Sequence, residues 1–193
     1  MKLYCGMDLH SNNVVVRVID STGKTLYKKN LPCELDIVLK ALKPHQKSIE
    51  GIAIESTFNW YWLVDGLEEC GYKVHLVNTA AVKQYEGLKH TDDDSDAFWL
   101  AHVLSLGILP TGYIYPKEQR AVRDLARKRS QLVKNRTTQI LGLQTLLIRN
   151  TGRSISCNDV KKLTVDGIEK QFTDTNLILA MTSNLIIYEG LRQ

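Results

Sequence analysis

Four acidic residues stand at positions where a divalent metal site would need them. Asp8 and Glu55 each follow a short apolar run, so each is expected near the C-terminal end of a buried strand. Asp93 and Asp96 are three residues apart at the start of a predicted helix, which places them on one face. Carboxylates that converge from distant sequence repel each other, and a hard cation such as Mg²⁺ relieves that repulsion. The four acids therefore predict a carboxylate metal site of the kind used by nucleases.

Each acid also has an ordinary structural explanation. Asp8 could be a turn residue at a strand end, and Glu55 could begin the loop before the next helix. The run from residue 92 to residue 96 could cap a helix, with Ser95 or Asp94 as the N-cap. For this run taken alone, capping is the better explanation. The metal site gains weight because the acids recur in one strand–strand–helix arrangement.

Charge is distributed unevenly along the 193 residues. Residues 117–153 contain ten Lys or Arg and two acidic residues, a local charge of +8. The rest of the chain has 15 basic and 19 acidic residues, a charge of −4. The basic segment predicts a polyanionic partner, and nucleic acid is favoured over a plain solvated helix face.

Cysteine and histidine usage argues against several other site classes. The four cysteines are scattered without a Cys-x-x-Cys pair, which argues against a zinc ribbon or a disulfide scaffold and favours reduced thiols. The five histidines form no ligand-spaced set, and His90 and His102 are expected to be surface or packing residues. We recognise no secretory signal and no membrane-spanning segment, so we expect a cytoplasmic protein with no membrane partner.

The order of apolar segments predicts an α/β fold for residues 1–112. Strands are expected at 3–7, 14–20, 25–31, 49–55 and 73–77, and helices at 35–42, 60–70, 80–88 and 94–106. The first three strands form an antiparallel meander, and the later strands alternate with helices. This is the order of a ribonuclease H-like mixed sheet with flanking helices.

Residues 113–193 are expected to form a helical extension dominated by one long helix. Pro116 suits its start, and Gly152 suits the position just past its end. Its apolar residues fall within an arc of about 100°: Val122, Leu125, Leu132, Val133, Ile140, Leu143 and Leu147. Its basic residues predicted to contact nucleic acid are Arg120, Arg123, Arg127, Lys128, Lys134 and Arg149.

The long helix is also expected to meet a partner helix. At 1.5 Å per residue it would reach roughly 50 Å, too long to pack wholly on a domain of this size. Arg129 and Arg136 fall inside the apolar stripe, where they either pair with acids across an interface or extend out of it, and we favour the second. A plain structural helix is the alternative.

Several segments together resemble the DEDD transposases. They are Gly6-Met7-Asp8-Leu9-His10, Ile54-Glu55-Ser56-Thr57, residues 89–97 with Leu100-Ala101, and the stretch from Gly107 to Arg153. This is the insertion sequence family one hundred and ten, with its closely related subgroup and the pilin-gene invertase Piv. Members have a RuvC-type resolvase domain of ribonuclease H-like fold, followed by a coiled coil. Position by position, the resemblance implies this DEDD set: Asp8, Glu55, Asp93 and Asp96, with Asp92 and Asp94 as alternatives for the third member.

The resemblance also implies an activity and its partners. Family members recombine DNA with Mg²⁺, for which Mn²⁺ can substitute, in the carboxylate site, and some use a structured guide RNA. Two such ions about 4 Å apart could assist phosphoryl transfer. We accordingly expect DNA, a guide RNA and a homo-oligomer formed through the long helix, in association with a prokaryotic nucleoid.

The main departure from the family pattern concerns a serine. Family members also require a serine in a C-terminal domain, and no serine here matches its motif. The chain stops at Gln193, within an expected helix at 176–191. The resemblance therefore predicts a truncated transposase that does not complete recombination alone.

Two functions of other classes remain for comparison. Actin-like and sugar kinases share the fold and place an Asp on the first strand, but their phosphate loop has Gly two residues later, where this chain has His10. A non-catalytic nucleic-acid-binding remnant differs from the transposase only in whether the four acids hold metal.

Overall fold

The computed structural model describes residues 1–78, 81 and 93–192, apart from the side chains of residues 93–95. The helix expected at 80–88 and the alternative site residue Asp92 lie outside the described residues. The chain divides into two compact units, Met1–Ile114 and Tyr115–Gln193. Over the described ranges, no helix is both long enough and apolar enough to cross a membrane.

One mixed sheet organises the described part of the first unit. Its strands are β1 (Leu3–Leu9), β2 (Asn13–Asp20), β3 (Thr25–Pro32), β4 (Ile49–Glu55) and β5 (Val74–Val77). Their order is β3-β2-β1-β4-β5. The first three strands are antiparallel neighbours, whereas β4 pairs in parallel with both β1 and β5. This topology confirms the predicted ribonuclease H-like α/β fold.

The turn between β2 and β3 is fixed by one aspartate. Asp20 Oδ1 accepts hydrogen bonds from the Thr22 N–H at 2.8 Å, the Thr22 hydroxyl at 2.6 Å and the Lys24 N–H at 3.0 Å. These bonds hold the pKa of Asp20 below its usual value, with the Thr22 side chain contributing most. Gly23 adopts a φ of 86°, a left-handed conformation that glycine reaches without strain. A local hydrogen-bond network therefore sets the register of the antiparallel meander.

Two of the described helices cover one face of the sheet. Helix α1 (Leu35–Leu42) is followed directly by a short 3-10 helix (Lys43–Ser48) with Pro44 in its first turn, in keeping with the poor fit of proline inside an α-helix. Helix α2 (Tyr61–Glu69) packs beside it, and a methyl group at Gly66 would overlap the Leu35 side chain. The core on this face joins α1 and α2 to β1 and β4; it includes Met7, Ile52, Ile54, Val38, Leu42, Leu63 and Leu67.

The opposite face carries a single described helix, α3 (Asp93–Ser105). It contacts β1, β2 and β4, so it crosses the centre of the sheet. Leu100 packs with Ala53 and Val77 in a small apolar cluster on this side. The helix expected at 94–106 is thus present, displaced by one residue at each end.

The second unit is helical, and its main element is the expected long helix α4 (Lys117–Thr151). Pro116 precedes its first turn, and Gly152 ends it with a φ of 68°. The Gly152 N–H donates to the Ile148 carbonyl at 2.8 Å, which satisfies one of the last open carbonyls. Both predicted helix ends are confirmed.

Three further helices pack on the C-terminal half of α4. They are α5 (Cys157–Val160), α6 (Val165–Gln171) and α7 (Thr175–Gly190). Sequence periodicity did not predict α5 and α6 because each is too short for an amphipathic repeat to show. Their capping residues were readable, since Ser156 Oγ accepts from the Asp159 N–H and Thr164 Oγ1 accepts from the Gly167 N–H.

Only half of the predicted apolar stripe on α4 is buried within the second unit. Ile140, Leu143 and Leu147 form a core with residues of α5, α6 and α7. In contrast, the N-terminal residues of the stripe stay exposed, with Val122 at 69% and Leu125 at 70%. The helical period placed all of these residues on one face, but it could not tell which part of that face finds a partner within the chain.

Candidate active site

The first two acids meet because β1 and β4 are parallel neighbours. Met7 is paired with Ile54 in the sheet, so Asp8 and Glu55 follow at adjacent C-terminal strand ends. Side chains two residues apart point to the same face of a strand, which puts both acids on the face of Gly6 and Ala53. Asp8 is only 3% exposed. The expected convergence of these acids is therefore present in the structure.

The third acid, Asp96, lies on α3, and this helix is unusually close to β1. A methyl group at Gly6 would overlap the Ala97 carbonyl oxygen and stand 2.7 Å from the Ala101 nitrogen. Ala53, Ala97 and Ala101 are fully buried along the same contact. Because all four residues are small, the helix backbone rests directly on the strand. Asp96 immediately precedes Ala97 and is thereby carried to the side of Asp8.

The pKa of Asp8 reflects this convergence. Its pKa is raised to about 7, first because burial removes the carboxylate from water and next because its side chain shares a hydrogen bond with Glu55. The negative charges of Glu55 and Asp96 raise the pKa further, while the charge of His10 opposes them. Without added positive charge, the acidic cluster therefore holds a proton more strongly than an isolated carboxyl group does.

His10 is a site residue that the sequence did not single out as a candidate. Its Nε2 lies 3.1 Å from Asp8 Oδ2. The Asn59 amide donates to the His10 carbonyl at 2.8 Å, and the Thr57 hydroxyl donates to the Asn59 side-chain oxygen at 2.9 Å. The loop after β4 thus holds the loop after β1. The available signal was the spacing of two residues from Asp8, which predicts a shared face near a strand end.

The donor set suits a hard divalent cation. Carboxylate oxygens are the ligands that Mg²⁺ and Mn²⁺ take from proteins, and the pKa of Asp8 is raised because the carboxyl group is buried and has Glu55 and Asp96 beside it. Among the described side chains alone, no group of three or more Asp, Glu, His or Cys has the arrangement needed to hold an ion. Asp93 begins α3, three residues before Asp96, and its side chain is outside the described atoms.

The basic residues of α4 differ in their availability. Arg127, Lys128, Lys134 and Arg149 are exposed, as expected for contacts with phosphate. Arg120 is instead buried at 7% exposure, and its Nε donates to the Tyr115 carbonyl at 2.8 Å. Its spacing on the helix was right for the basic face, but this non-helical carbonyl engages its guanidinium.

Arg123 is also partly engaged. Its guanidinium lies over the Tyr115 ring at 4.8 Å from the centroid, and one nitrogen is 3.5 Å from Asp124 Oδ1. A cation over an aromatic face loses rotamer freedom without losing its charge. Arg123 therefore presents a positioned charge, whereas the other four cations are fully on the exposed surface of the helix.

Comparison with known proteins decides the family. The model of the IS110-type DEDD transposases, described as "Transposase", matches residues 5–149, about three quarters of the chain. The chain belongs to the DEDD transposase family. The match runs from β1 to the end of α4 and so includes all four residues of the expected DEDD set. Membership places the protein among those that act in DNA transposition and recombination.

Two further comparisons complete this result. No curated protein matches the chain. Among solved structures, RuvC from T. thermophilus in complex with a Holliday junction substrate is similar, with 16% sequence identity and a TM-score of 0.45. The similarity covers 58% of this chain and 100% of that one.

A methyl group at the contact between α3 and β1 should destabilise the first unit. We expect Gly6→Ala to lower the free energy of unfolding by about 2 kcal/mol or more, because helix backbone, which cannot rotate away, would be displaced. Gly112→Ala is the matched control, since its added methyl would stand 3.6 Å from the nearest atom, the Leu76 oxygen. Urea unfolding followed by tryptophan fluorescence reports on this unit, which contains Trp60, Trp62 and Trp99. Equal midpoints for the two variants would contradict the close contact.

Removing the charge of Asp8 should stabilise the metal-free protein at alkaline pH. The folded pKa of about 7 lies above the ordinary carboxyl value of 3.8, so the native protein loses stability as the pH rises between these two values. Asn cannot ionise, so the advantage of Asp8→Asn should grow between about pH 5 and pH 8 to an order of 2–4 kcal/mol. Thermal unfolding in EDTA measures this difference. Asp36→Asn, an exposed position on α1, should show no such growth, and a pH-independent difference for Asp8→Asn would refute the assignment.

Proposed function

We propose that this protein is a divalent-metal-dependent phosphoryl-transfer enzyme that acts on DNA in transposition. Its metal ligands would be Asp8, Glu55, Asp93 and Asp96, and its cofactor Mg²⁺ or Mn²⁺. The observation that carries the proposal is the burial of Asp8 against Glu55 and Asp96, three acids from separate elements. Such a cluster is costly to fold unless it serves a cation.

The residues of the chain have distinct roles in this mechanism. Asp8 and Glu55 extend from rigid strand ends, so their carboxylates are preorganised relative to each other. Asp96 completes the cluster from the helix, and its position depends on the Gly6–Ala97 contact. His10 and Asn59 hold the loop beside Asp8 and so orient its carboxylate. When bound, the cation supplies charge neutralisation and Lewis acidity for phosphoryl transfer.

The exposed cations of α4 are proposed to bind the nucleic acid. Arg127, Lys128, Lys134 and Arg149 would contact backbone phosphates, with Arg123 positioned by Tyr115. Arg120 is left out of this set because its Nε is engaged in a buried hydrogen bond. The family resemblance adds a structured guide RNA as a second ligand. Phosphate contacts of this kind suit DNA and RNA alike.

A second candidate is a nucleic-acid-binding protein without catalysis. The observation that favours it is the set of exposed cations on α4, which are Arg127, Lys128, Lys134 and Arg149. In that case the basic residues of α4 would carry the whole function. The two candidates differ in a single measurable property, which is metal-dependent cleavage of DNA.

Cleavage should therefore depend on the acidic cluster. We expect the purified chain to nick branched duplex DNA in Mn²⁺, and Asp8→Asn or Asp96→Asn to lower the rate by at least about a hundredfold. Calorimetric titration with Mn²⁺ should show saturable binding that both variants lose. Asp36→Asn, a matched removal of one carboxylate charge on the surface, should keep both properties. Equal, weak Mn²⁺ binding in all four proteins would leave the non-catalytic candidate.

Binding through α4 should depend steeply on salt. We expect Arg127→Gln with Lys134→Gln to reduce the slope of log affinity against log salt by about 1.5, since each phosphate contact contributes about 0.7–0.9. Fluorescence anisotropy with labelled duplex DNA measures the slope. Arg153→Gln with Lys170→Gln removes the same charges elsewhere on the second unit and serves as the control. A slope unchanged from the native chain would exclude these residues from the interface.

We also propose that the exposed apolar half of α4 pairs with a second copy of the chain. Val122 and Leu125 lie one turn apart on the exposed stripe, and large apolar residues at helical spacing usually mark an interface. Val122→Glu with Leu125→Glu should shift the sedimentation coefficient from dimer to monomer. Leu179→Glu, at a residue 64% exposed on α7, should leave it unchanged. A native chain that is already monomeric at tens of micromolar would end this proposal.

A further inference from the structure

A positively charged pocket lies within the second unit, apart from the exposed cations of α4 considered above. It has a volume of about 580 Å³ and is lined by residues of α4, α5, α7 and the segments that follow α5 and α7. Four of its lining residues are cations, Arg136, Lys161, Lys162 and Arg192, and none is acidic. A pocket of this size is in the range of small-ligand sites.

Packing in the core of the second unit fixes the positions of these cations. Arg136 is one helical turn before Ile140, Lys161 directly follows Val160, and Arg192 is one turn after Tyr188. Ile140, Val160 and Tyr188 are buried together in a single apolar cluster. Because each anchor is fixed by packing, the neighbouring cation is held near the others despite their mutual repulsion.

Little negative charge from the chain compensates these cations. Lys162 is paired with Asp159 at 2.9 Å, and the Lys161 ammonium donates to the Asn158 side-chain oxygen at 3.3 Å. Within the described residues, no carboxylate lies within ion-pair distance of Arg136, Lys161 or Arg192. Three positive charges thus converge on one concave surface without acidic partners, which concentrates a field that attracts anions.

Arg136 connects this pocket to a longer path for an anionic chain. Arg129 is exposed on the same helix, seven residues earlier and therefore on the same face. The separation along the helix axis is about 10 Å, close to three nucleotide steps of one strand. These are the two arginines whose helical angle falls inside the apolar stripe. A polymer with regularly spaced phosphates could engage both, whereas a single small anion could not.

We propose that this pocket binds backbone phosphate of a nucleic-acid strand that continues along α4 as far as Arg129. The ligand class is the phosphodiester backbone, from DNA or from RNA. The inference rests on the proposed nucleic-acid function and adds a second contact region to it. Arg136 and Arg192 supply planar guanidinium donors that match phosphate oxygens, and Lys161 adds a compact ammonium charge.

The test compares charge-matched variants of the full 193-residue chain. Fluorescence anisotropy in EDTA would use labelled strands of about 30 nucleotides, as single-stranded DNA, RNA of the same sequence and the DNA duplex. We expect Arg136→Gln with Lys161→Gln to weaken binding about tenfold and to lower the salt slope by about 1.5. The control, Arg153→Gln with Lys170→Gln, should change affinity less than about twofold. Arg136→Lys with Lys161→Arg keeps the charge and should retain most of the affinity.

Each outcome has a definite meaning. A selective loss for RNA or for DNA supports the pocket and identifies the source of the phosphate. Equal losses of affinity in the pocket and control variants would overturn the pocket proposal. A native chain that binds none of the probes would also overturn it. So would displacement of the strand by polyglutamate at equal charge concentration. The Asp8→Asn cleavage assay is independent, since it reads the carboxylate cluster in the other unit. Cleavage that did not depend on Asp8, together with weaker binding by the pocket variants, would reject the proposed enzymatic function. The pocket proposal would then stand.

Discussion

The direct contact of the α3 backbone with β1 sets the geometry of the acidic cluster. Gly6 has no side chain where the Ala97 carbonyl passes, and Ala101 meets the strand one turn later. A larger residue at this position would raise the helix from the sheet by the thickness of a methyl group or more. Asp96 would then move away from Asp8. The approach of two backbones thus becomes a requirement for the acidic cluster, although neither Gly6 nor the two alanines belong to it.

The same contact explains why the ionised form of Asp8 is unfavourable in this site. Packing small residues on both sides excludes water, and a carboxylate placed there loses hydration while facing two other acids. The chain offsets part of this with His10, which is held by the Asn59 amide. One positively charged or polar neighbour does not neutralise three carboxylates. Functional sites commonly retain instability of this kind, because a fully compensated cluster would have no remaining affinity for a cation.

The second unit uses one helix for two purposes. The 35 residues of α4 span about 52 Å, and its C-terminal half is buried by α5, α6 and α7. Its N-terminal half keeps apolar and basic residues exposed. The buried half gives rigidity, since Leu143 is fully enclosed, and it also fixes the positions of Arg136 and its cationic neighbours. The exposed half is the part for which we propose contacts with other molecules.

The sequence by itself determined the elements whose signals are local. Helix α1 and strand β4 have the expected bounds, and Pro116 and Gly152 delimit α4 because proline and glycine act on their own backbone. The four candidate acids were also singled out by their spacing, since strand ends and helix starts are locally encoded. Whether those acids hold metal stays a prediction.

Tertiary structure alone decided what depends on distant residues. The burial of Arg120 requires the Tyr115 carbonyl, the role of His10 requires Asn59, and the location of Arg136 requires the packing of Val160 and Tyr188. A helical period gives the direction of a side chain but not the atoms it meets. Those atoms belong to elements whose approach is set by packing of the whole unit, and that information is non-local in the chain.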